Sequence, residues 1–211
     1  MIGSVRQRRV LGVAIVDRMR IANNFGAAGV EVDGGLAWLD RTWIVENTEE
    51  ARAFNGAELV LRNCVIGGGG TVRALRVESS ATARIEYSLL VGGPLNYSLS
   101  CNGASSVTAR NSIIVTDVGN AILCPEASLS HCATTEVWDG NANGNTDVGD
   151  VQSAWFVDEA SGEYHLSDIG IALFDDVALW QTGDPTTDID GDPRTTIDGT
   201  SDDAGADIPT P

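Results

Sequence analysis

The segment Asp139-Gly140-Asn141-Ala142-Asn143-Gly144-Asn145-Thr146-Asp147-Val148-Gly149-Asp150 is built like a calcium loop. Oxygen-bearing side chains stand at positions 1, 3, 5, 9 and 12, with glycine at position 6. Calcium takes six to eight oxygens, and this spacing wraps them around one point. Asp139, Asn141, Asn143, Asn145, Asp147 and Asp150 are therefore candidate Ca²⁺ ligands. Position 12 is Asp rather than Glu, which shortens the bidentate arm, and no helix is evident on either side. The competing reading is an Asn/Gly-rich connector. A second acidic group, Asp188, Asp190 and Asp192, alternates along the tail. Three carboxylates so spaced repel one another unless a cation or an arginine sits among them. Either a second calcium or a structural turn closed by Arg194 satisfies that demand.

Other chemistry is scarce. His131 and His165 are the only histidines, and neither has a plausible nucleophile near it in sequence, so both are expected to be structural or surface residues. All 13 basic residues are Arg, which excludes Schiff-base chemistry, a lysine base and a P-loop lysine. The four cysteines show no C-x-x-C spacing for zinc or redox work.

The net charge of −17 is distributed unevenly. Residues 1–134 hold 12 Arg and 12 acids, whereas residues 135–211 hold 18 acids and a single Arg. This predicts a charge-balanced first region, 1–134, and an acidic second region, 135–211. The balance argues against nucleic acid or an anionic membrane as partner, since both call for a basic face. No apolar run is long enough to span a bilayer.

The elements that must position these residues emerge as a repeat. Val16-Asp17-Arg18-Met19-Arg20-Ile21, Leu39-Asp40-Arg41-Thr42-Trp43-Ile44, Leu61-Arg62-Asn63-Cys64-Val65-Ile66, Ile85-Glu86-Tyr87-Ser88-Leu89-Leu90 and Ala109-Arg110-Asn111-Ser112-Ile113-Ile114 align, with a weaker sixth ending at Thr134. Their final residues are spaced by 23, 22, 24, 24 and 20. Ile21, Ile44, Ile66, Leu90 and Ile114 form one aliphatic column. Val30, Leu75, Leu99, Ile122 and Val32, Val77, Cys101, Cys124 form two more. Short strands at this period, with turn residues between them, predict a parallel β-helix of about six coils, roughly 30 Å long at the usual strand spacing. Cys101 and Cys124 fall one coil apart in one column, within disulfide range; two buried thiols are the alternative. Cys64 and Cys132 share another column about three coils apart, too far to pair. Residues 1–9 are too short and polar to cap the first coil. Either the chain is the C-terminal part of a longer protein, or another chain stacks end to end on that open edge.

These coils resemble those of the bacterial right-handed parallel β-helix proteins, the pectin-lyase-like superfamily, in its secreted or surface-anchored form. The resemblance extends to Phe156-Val157-Asp158, Gly162-Glu163-Tyr164-His165-Leu166, Asp188-Ile189-Asp190-Gly191-Asp192-Pro193-Arg194 and Gly205-Ala206-Asp207. It implies an all-β, single-stranded right-handed β-helix with an acidic, loop-rich C-terminal region, placed outside the cell or on its surface. The superfamily includes polysaccharide lyases and hydrolases as well as non-catalytic surface proteins, so fold leaves function open. Arg73, Arg76, Arg84 and Arg110 are candidates for a lyase-type base. Residues 59–115 supply only Glu78 and Glu86 as the acids a lyase would need beside it. A hydrolase would need two carboxylates facing one groove.

Trp43, Val65, Leu89 and Ile113 form an apolar column that alternates with the Ile66 column, so both faces of one sheet are apolar. The second face must be covered or must bind something. Residues 152–180, with a β-hairpin around Ser161-Gly162, are expected to cover it. The rival is a sugar-stacking platform of Trp38, Trp43 and Tyr87. The expected function is a non-catalytic secreted or cell-surface module with a structural, adhesion or carbohydrate-binding role. A polysaccharide-active enzyme and a stacking module are the alternatives.

Overall fold

The computed structural model describes residues 8–10, 12–26, 28–68, 73–93, 97–117, 120–136, 139–151 and 153–207. Within them the chain winds into a parallel β-solenoid of about five turns. Sheet A stacks Arg8–Val10, Ala28–Asp33, Glu49–Phe54, Leu75–Glu78, Leu99–Asn102 and Ile122–Leu123. Sheet B stacks Val13–Asp17, Leu36–Asp40, Glu58–Arg62, Thr82–Glu86, Ser106–Arg110 and Ala127–Ser130. Sheet C begins with Arg20–Ala22, Trp43–Val45, Val65–Gly67 and Leu89–Gly92, and continues with Ile113–Thr116, Ala133–Thr134 and Thr146–Asp147. The count falls one short of the six coils expected, because six stacked strands enclose five coil-to-coil steps. No helix among the described residues is long and apolar enough to cross a membrane.

The registers show why this sequence coils. Ile21, Ile44, Ile66, Leu90 and Ile114 are paired in succession along sheet C and all lie in the interior. Leu39, Leu61, Ile85, Ala109 and Leu129 do the same along sheet B. Each buried Ile or Leu contributes roughly 1.5–3 kcal/mol, but only when the next coil closes over it. Sheet A also runs through Ala51 and Ala53, which sit in register with Val30 and Val32 and with Leu75 and Val77. Small side chains hid that coil from a search for large aliphatics.

A two-residue corner joins sheet B to sheet C in every coil. Arg18, Arg41, Asn63, Tyr87, Asn111 and His131 occupy it, all with φ between 45° and 55°. Asn adopts this left-handed conformation readily; Arg and Tyr do so at a cost. The cost is offset by backbone bonds between coils, such as Asn63 N to Glu86 O at 3.1 Å and Tyr87 N to Arg110 O at 3.1 Å. The next residue points inward and, from Thr42 onward, is small. Cys64 N donates to Ser88 Oγ at 3.1 Å, and Ser88 N donates to Ser112 Oγ at 3.1 Å. Cys64 and Cys132 belong to this small-residue ladder, which explains two buried free thiols.

The second region lies on the outer face of sheet C. Val45, Val65, Leu89, Val91, Ile113 and Val115 form a second core with Trp155, Phe156, Tyr164, Leu166, Phe174 and Trp180. The hairpin Phe156–Asp158/Glu163–Leu166 is present and antiparallel. One short helix, Asp168–Phe174, follows, with Ser167 as its N-cap. The cover extends beyond the expected residue 180, because Ile189, Ala204 and Ala206 also pack into this core. Sheet C itself passes the boundary drawn at residue 134, since Thr146–Asp147 adds a last parallel strand.

The corner from sheet C to sheet A buries a carboxyl group. Glu50 is 1 % exposed and accepts from Asn47 N at 3.0 Å and Asn47 Nδ2 at 2.6 Å. Burial pushes its pKa up to about 8 against the pull of those bonds. The unfolded chain releases this proton in the ordinary carboxylate range, so above that range the folded state holds the extra proton. Stability therefore falls as pH rises toward 8, by at most about 1.4 kcal/mol per pH unit. Urea unfolding between about pH 6.5 and about 8 should show that decline, and Glu50→Gln should flatten it. An unaltered slope in the variant would assign the decline to another group.

Candidate functional site

The cover leaves the outer face of sheet B bare over its N-terminal coils. Three outward rows run along it. The middle row is Ile15, Trp38, Val60, Arg84, Thr108 and Ser128. Ile15 is 78 % exposed and Trp38 half-buried, while Val60 is shielded between its large register neighbours Trp38 and Arg84. The outer row, Val13, Leu36, Glu58, Thr82 and Ser106, grades from apolar to hydroxyl-bearing. The third row, Asp17, Asp40, Arg62, Glu86, Arg110 and Ser130, lies against the loop 183–187.

That loop forms a wall, so the face is a trough. Arg62 Nη2 donates to Gly183 O, Arg110 is paired with Asp184, and Asn63 Nδ2 donates to Thr187 O at 3.0 Å. Depressions of about 320 Å³ and about 190 Å³ lie along it, the first between Asp40, Arg62 and the wall, the second among Arg84, Glu86, Arg110 and Ser130. Along the third row and the wall, carboxylates and guanidiniums are matched. Asp17 meets Arg41 at 2.9 Å, Asp40 meets Arg41 at 3.8 Å, and Glu86 is paired with Arg84 and lies 3.7 Å from Arg62. Burial raises the Asp40 pKa, and Arg41 and Arg62 work against that rise.

Glu78 stands on the outer face of sheet A, a different sheet from Glu86. It pairs with Arg76 at 2.5 Å and Arg52 at 2.9 Å. The two acids that a lyase or hydrolase would draw from the central coils thus share no groove. Of the candidate bases, Arg76, Arg84 and Arg110 each face a carboxylate.

A further cleft of about 480 Å³ lies between the end of sheet C and the hairpin, around Gly68, Gly93, Asp117, Glu159 and Tyr164. Burial raises the pKa of Asp117, and burial together with Asp117 raises that of Glu159. Its described lining holds three carboxylates and no basic residue.

The two sequence-derived ion groups take other shapes. Asp139–Gly144 is a 3₁₀-helix and Thr146–Asp147 a strand. The side chains of residues 139–141 lie outside the described residues, while Asn143 and Asp150 are exposed. Asn145 is buried; its Oδ1 accepts from Cys132 N at 3.0 Å, and its Nδ2 donates to Leu129 O and Ala142 O. It continues the small-residue ladder as the rung after Cys132. Asp147 Oδ1 accepts from Gly149 N at 2.9 Å. In the tail, Asp188 is fully buried, and its Oδ1 accepts from the backbone N–H groups of Asp190, Gly191 and Asp192 at 2.8–2.9 Å. Asp190 points away to His165, and Asp192 is half-buried. Arg194 turns instead into the second core, 4.3 Å from the Tyr87 ring centroid.

The aromatic trio is not one platform. Tyr87 is fully buried under Arg194, so it presents no face to a sugar, and that assignment is corrected. Its corner conformation turns the ring beneath the cover. Trp43 lies on sheet C, with the His165 ring centroid 4.9 Å away and Arg20 over it at 5.5 Å. Trp38 alone faces the trough.

His165 is the residue whose surroundings the sequence did not signal. Its Nδ1 is bonded to Glu163 and its Nε2 to Asp190 at 2.7 Å. Burial lowers its pKa, but Asp190, Asp207 and Glu163 together carry the net shift upward. No protein-family model matches the chain, nor does any curated protein or solved structure.

Cys101 and Cys124 are disulfide-bonded, with their Cα atoms 4.6 Å apart. Cys64 and Cys132 are buried thiols whose pKa values burial pushes up to about 12, which leaves them unreactive. Removing a bridge that closes a 23-residue loop should cost about 3 kcal/mol. The double variant Cys101→Ser/Cys124→Ser should lose that much in urea unfolding. Equal stability before and after would contradict a bridge that constrains the last coils.

Proposed function

We propose that this chain is a non-catalytic, secreted or cell-surface β-helix module that binds a polysaccharide along the trough of sheet B. The single observation that carries the reading is the bare face itself. Sheet C is covered, yet sheet B leaves Trp38 accessible in a flat row that continues into Arg84, Thr108 and Ser128. An aromatic face stacks on sugar rings, and the charged and hydroxyl groups beyond it suit sugar hydroxyls. Parallel rows along several coils fit an extended polymer better than a compact metabolite. Matched charges favour a neutral or weakly charged glycan, since a polyanion would gain little from guanidiniums already paired.

The same pairing argues for binding without cleavage. Glycoside hydrolysis needs one protonated and one ionised carboxyl group across the bond. In the trough each of Asp17, Asp40, Glu86 and Asp184 faces an arginine. The disulfide accords with an oxidising compartment outside the cytosol. The likeness of the coils to the pectin-lyase-like superfamily supports the same placement, among its non-catalytic surface members.

The test is retention on a panel of insoluble and soluble polysaccharides, with product analysis of the same mixtures. We expect at least one glycan to bind, Trp38→Ala to weaken it by about tenfold or more, and Val157→Ala, on the far hairpin, to leave it unchanged. Release of reducing or unsaturated ends would overturn the non-catalytic reading. Equal binding by Trp38→Ala would remove the trough as the site.

A further inference from the structure

The hairpin and the acidic tail bring three ligand-bearing side chains to one spot outside the trough. His165, Asp190 and Asp207 each offer one ligand atom, and these atoms lie within 4.8 Å of one another. They come from separate segments, and the fold fixes each one independently. His165 stands on the hairpin strand Glu163–Leu166, whose alternate residues Tyr164 and Leu166 are anchored in the second core. Its ring rests against Trp43. Asp190 is placed by the Asp188 turn, which gathers three backbone N–H groups. Asp207 is placed by the bond from Ile189 N to Ala206 O at 2.8 Å.

We propose that His165, Asp190 and Asp207 form a binding site for a divalent transition-metal ion of the Zn²⁺ class. The donor set selects the ion. One imidazole nitrogen and two carboxylate oxygens suit zinc and its neighbours, whereas calcium prefers an all-oxygen shell of six or more. Two carboxylates balance the charge of a divalent ion around a neutral imidazole. The present bond of 2.7 Å between Nε2 and Asp190 is shorter than the separation of two zinc ligands, so the pair opens by only a few tenths of an ångström to admit the ion.

The second carboxylate on the ring points the same way. Glu163 takes the other ring nitrogen, Nδ1, as a carboxylate regularly does for a ligating histidine, so an entering ion has only to displace the Nε2 proton shared with Asp190. Asp207 is only 9 % exposed, and the bond from Leu166 N to its Oδ2 at 2.7 Å holds the carboxylate in place. The bound ion would pin the hairpin, the Asp188 turn and the end of the tail to one another. Buried thiols with pKa values near 12 offer no competing soft ligands.

The test is titration of the full chain with Zn²⁺ against a chromophoric chelator, together with zinc-edge X-ray absorption on the wild-type complex. We expect one equivalent to bind, with a shell of one imidazole and otherwise oxygen. His165→Gln and Asp190→Asn should each weaken binding tenfold or more, Glu163→Gln about tenfold, and His131→Gln not at all. Circular dichroism of each variant separates loss of the site from loss of the fold, and the wild-type spectrum stands if a variant unfolds. No stoichiometric binding, a shell lacking imidazole, or binding abolished by His131→Gln would overturn the proposal. Binding unaffected by both His165→Gln and Asp190→Asn would do the same.

Discussion

Sheet C is apolar on both faces, and the rest of the molecule follows from that constraint. Ile21, Ile44, Ile66, Leu90 and Ile114 fill the solenoid, while Val45, Val65, Leu89, Val91, Ile113 and Val115 point the other way. A strip of that size exposed to water would drive aggregation. The second region meets it with Trp155, Phe156, Tyr164, Leu166, Phe174 and Trp180. Little regular structure exists there to satisfy its backbone. Its acids do so instead: Asp188 holds three N–H groups, Asp207 holds Leu166 N, Asp184 holds Gln181 N, and Asp198 holds Thr182 N. Part of the charge after residue 135 is thus the hydrogen-bonding machinery of a cover built from loops.

The cover is tied to the coils through their corners. Asn111 exchanges two bonds with Leu179 and also donates to Asp184, while Arg194 lies over Tyr87 and donates to Asp203 O and Gly205 O. The left-handed corner aims these side chains outward at the seam between sheets B and C. One consequence is the wall 183–187 along sheet B. Another is that the face beyond the wall stays open. Covering one sheet therefore shapes the site on the next.

Much of this was legible in the sequence. Columns of large aliphatics gave the coils, the column through Val65 and Leu89 exposed the need for a cover, and two cysteines one coil apart stood within reach of a bridge. The misreadings share a cause. The oxygens of Asn145 and Asp188 fit a metal-ligand spacing, yet Asn145 Oδ1 accepts from Cys132 N and Asp188 Oδ1 from three backbone N–H groups. Spacing reports which atoms a segment owns, not whether the local backbone claims them first. Tyr87 suggested a sugar platform because composition cannot show that a corner residue turns beneath a tail that arrives more than a hundred residues later. The grouping of His165 with Asp190 and Asp207 depends on that same long-range docking, so no local motif carried it.

The central claim is that the second region is a cover docked on sheet C, not an independent appendage. Amide hydrogen exchange on Arg194→Met tests it most directly. Arg194 is 4 % exposed, and its removal leaves the buried Asp202 carboxylate, 3.6 Å away, without its cation, a loss of about 3–5 kcal/mol for such pairs. The account predicts that residues 156–207 and the strands Leu89–Gly92 and Ile113–Thr116 lose protection together, while sheets A and B keep theirs. Full protection of the cover in the variant, or loss from one without the other, would contradict it.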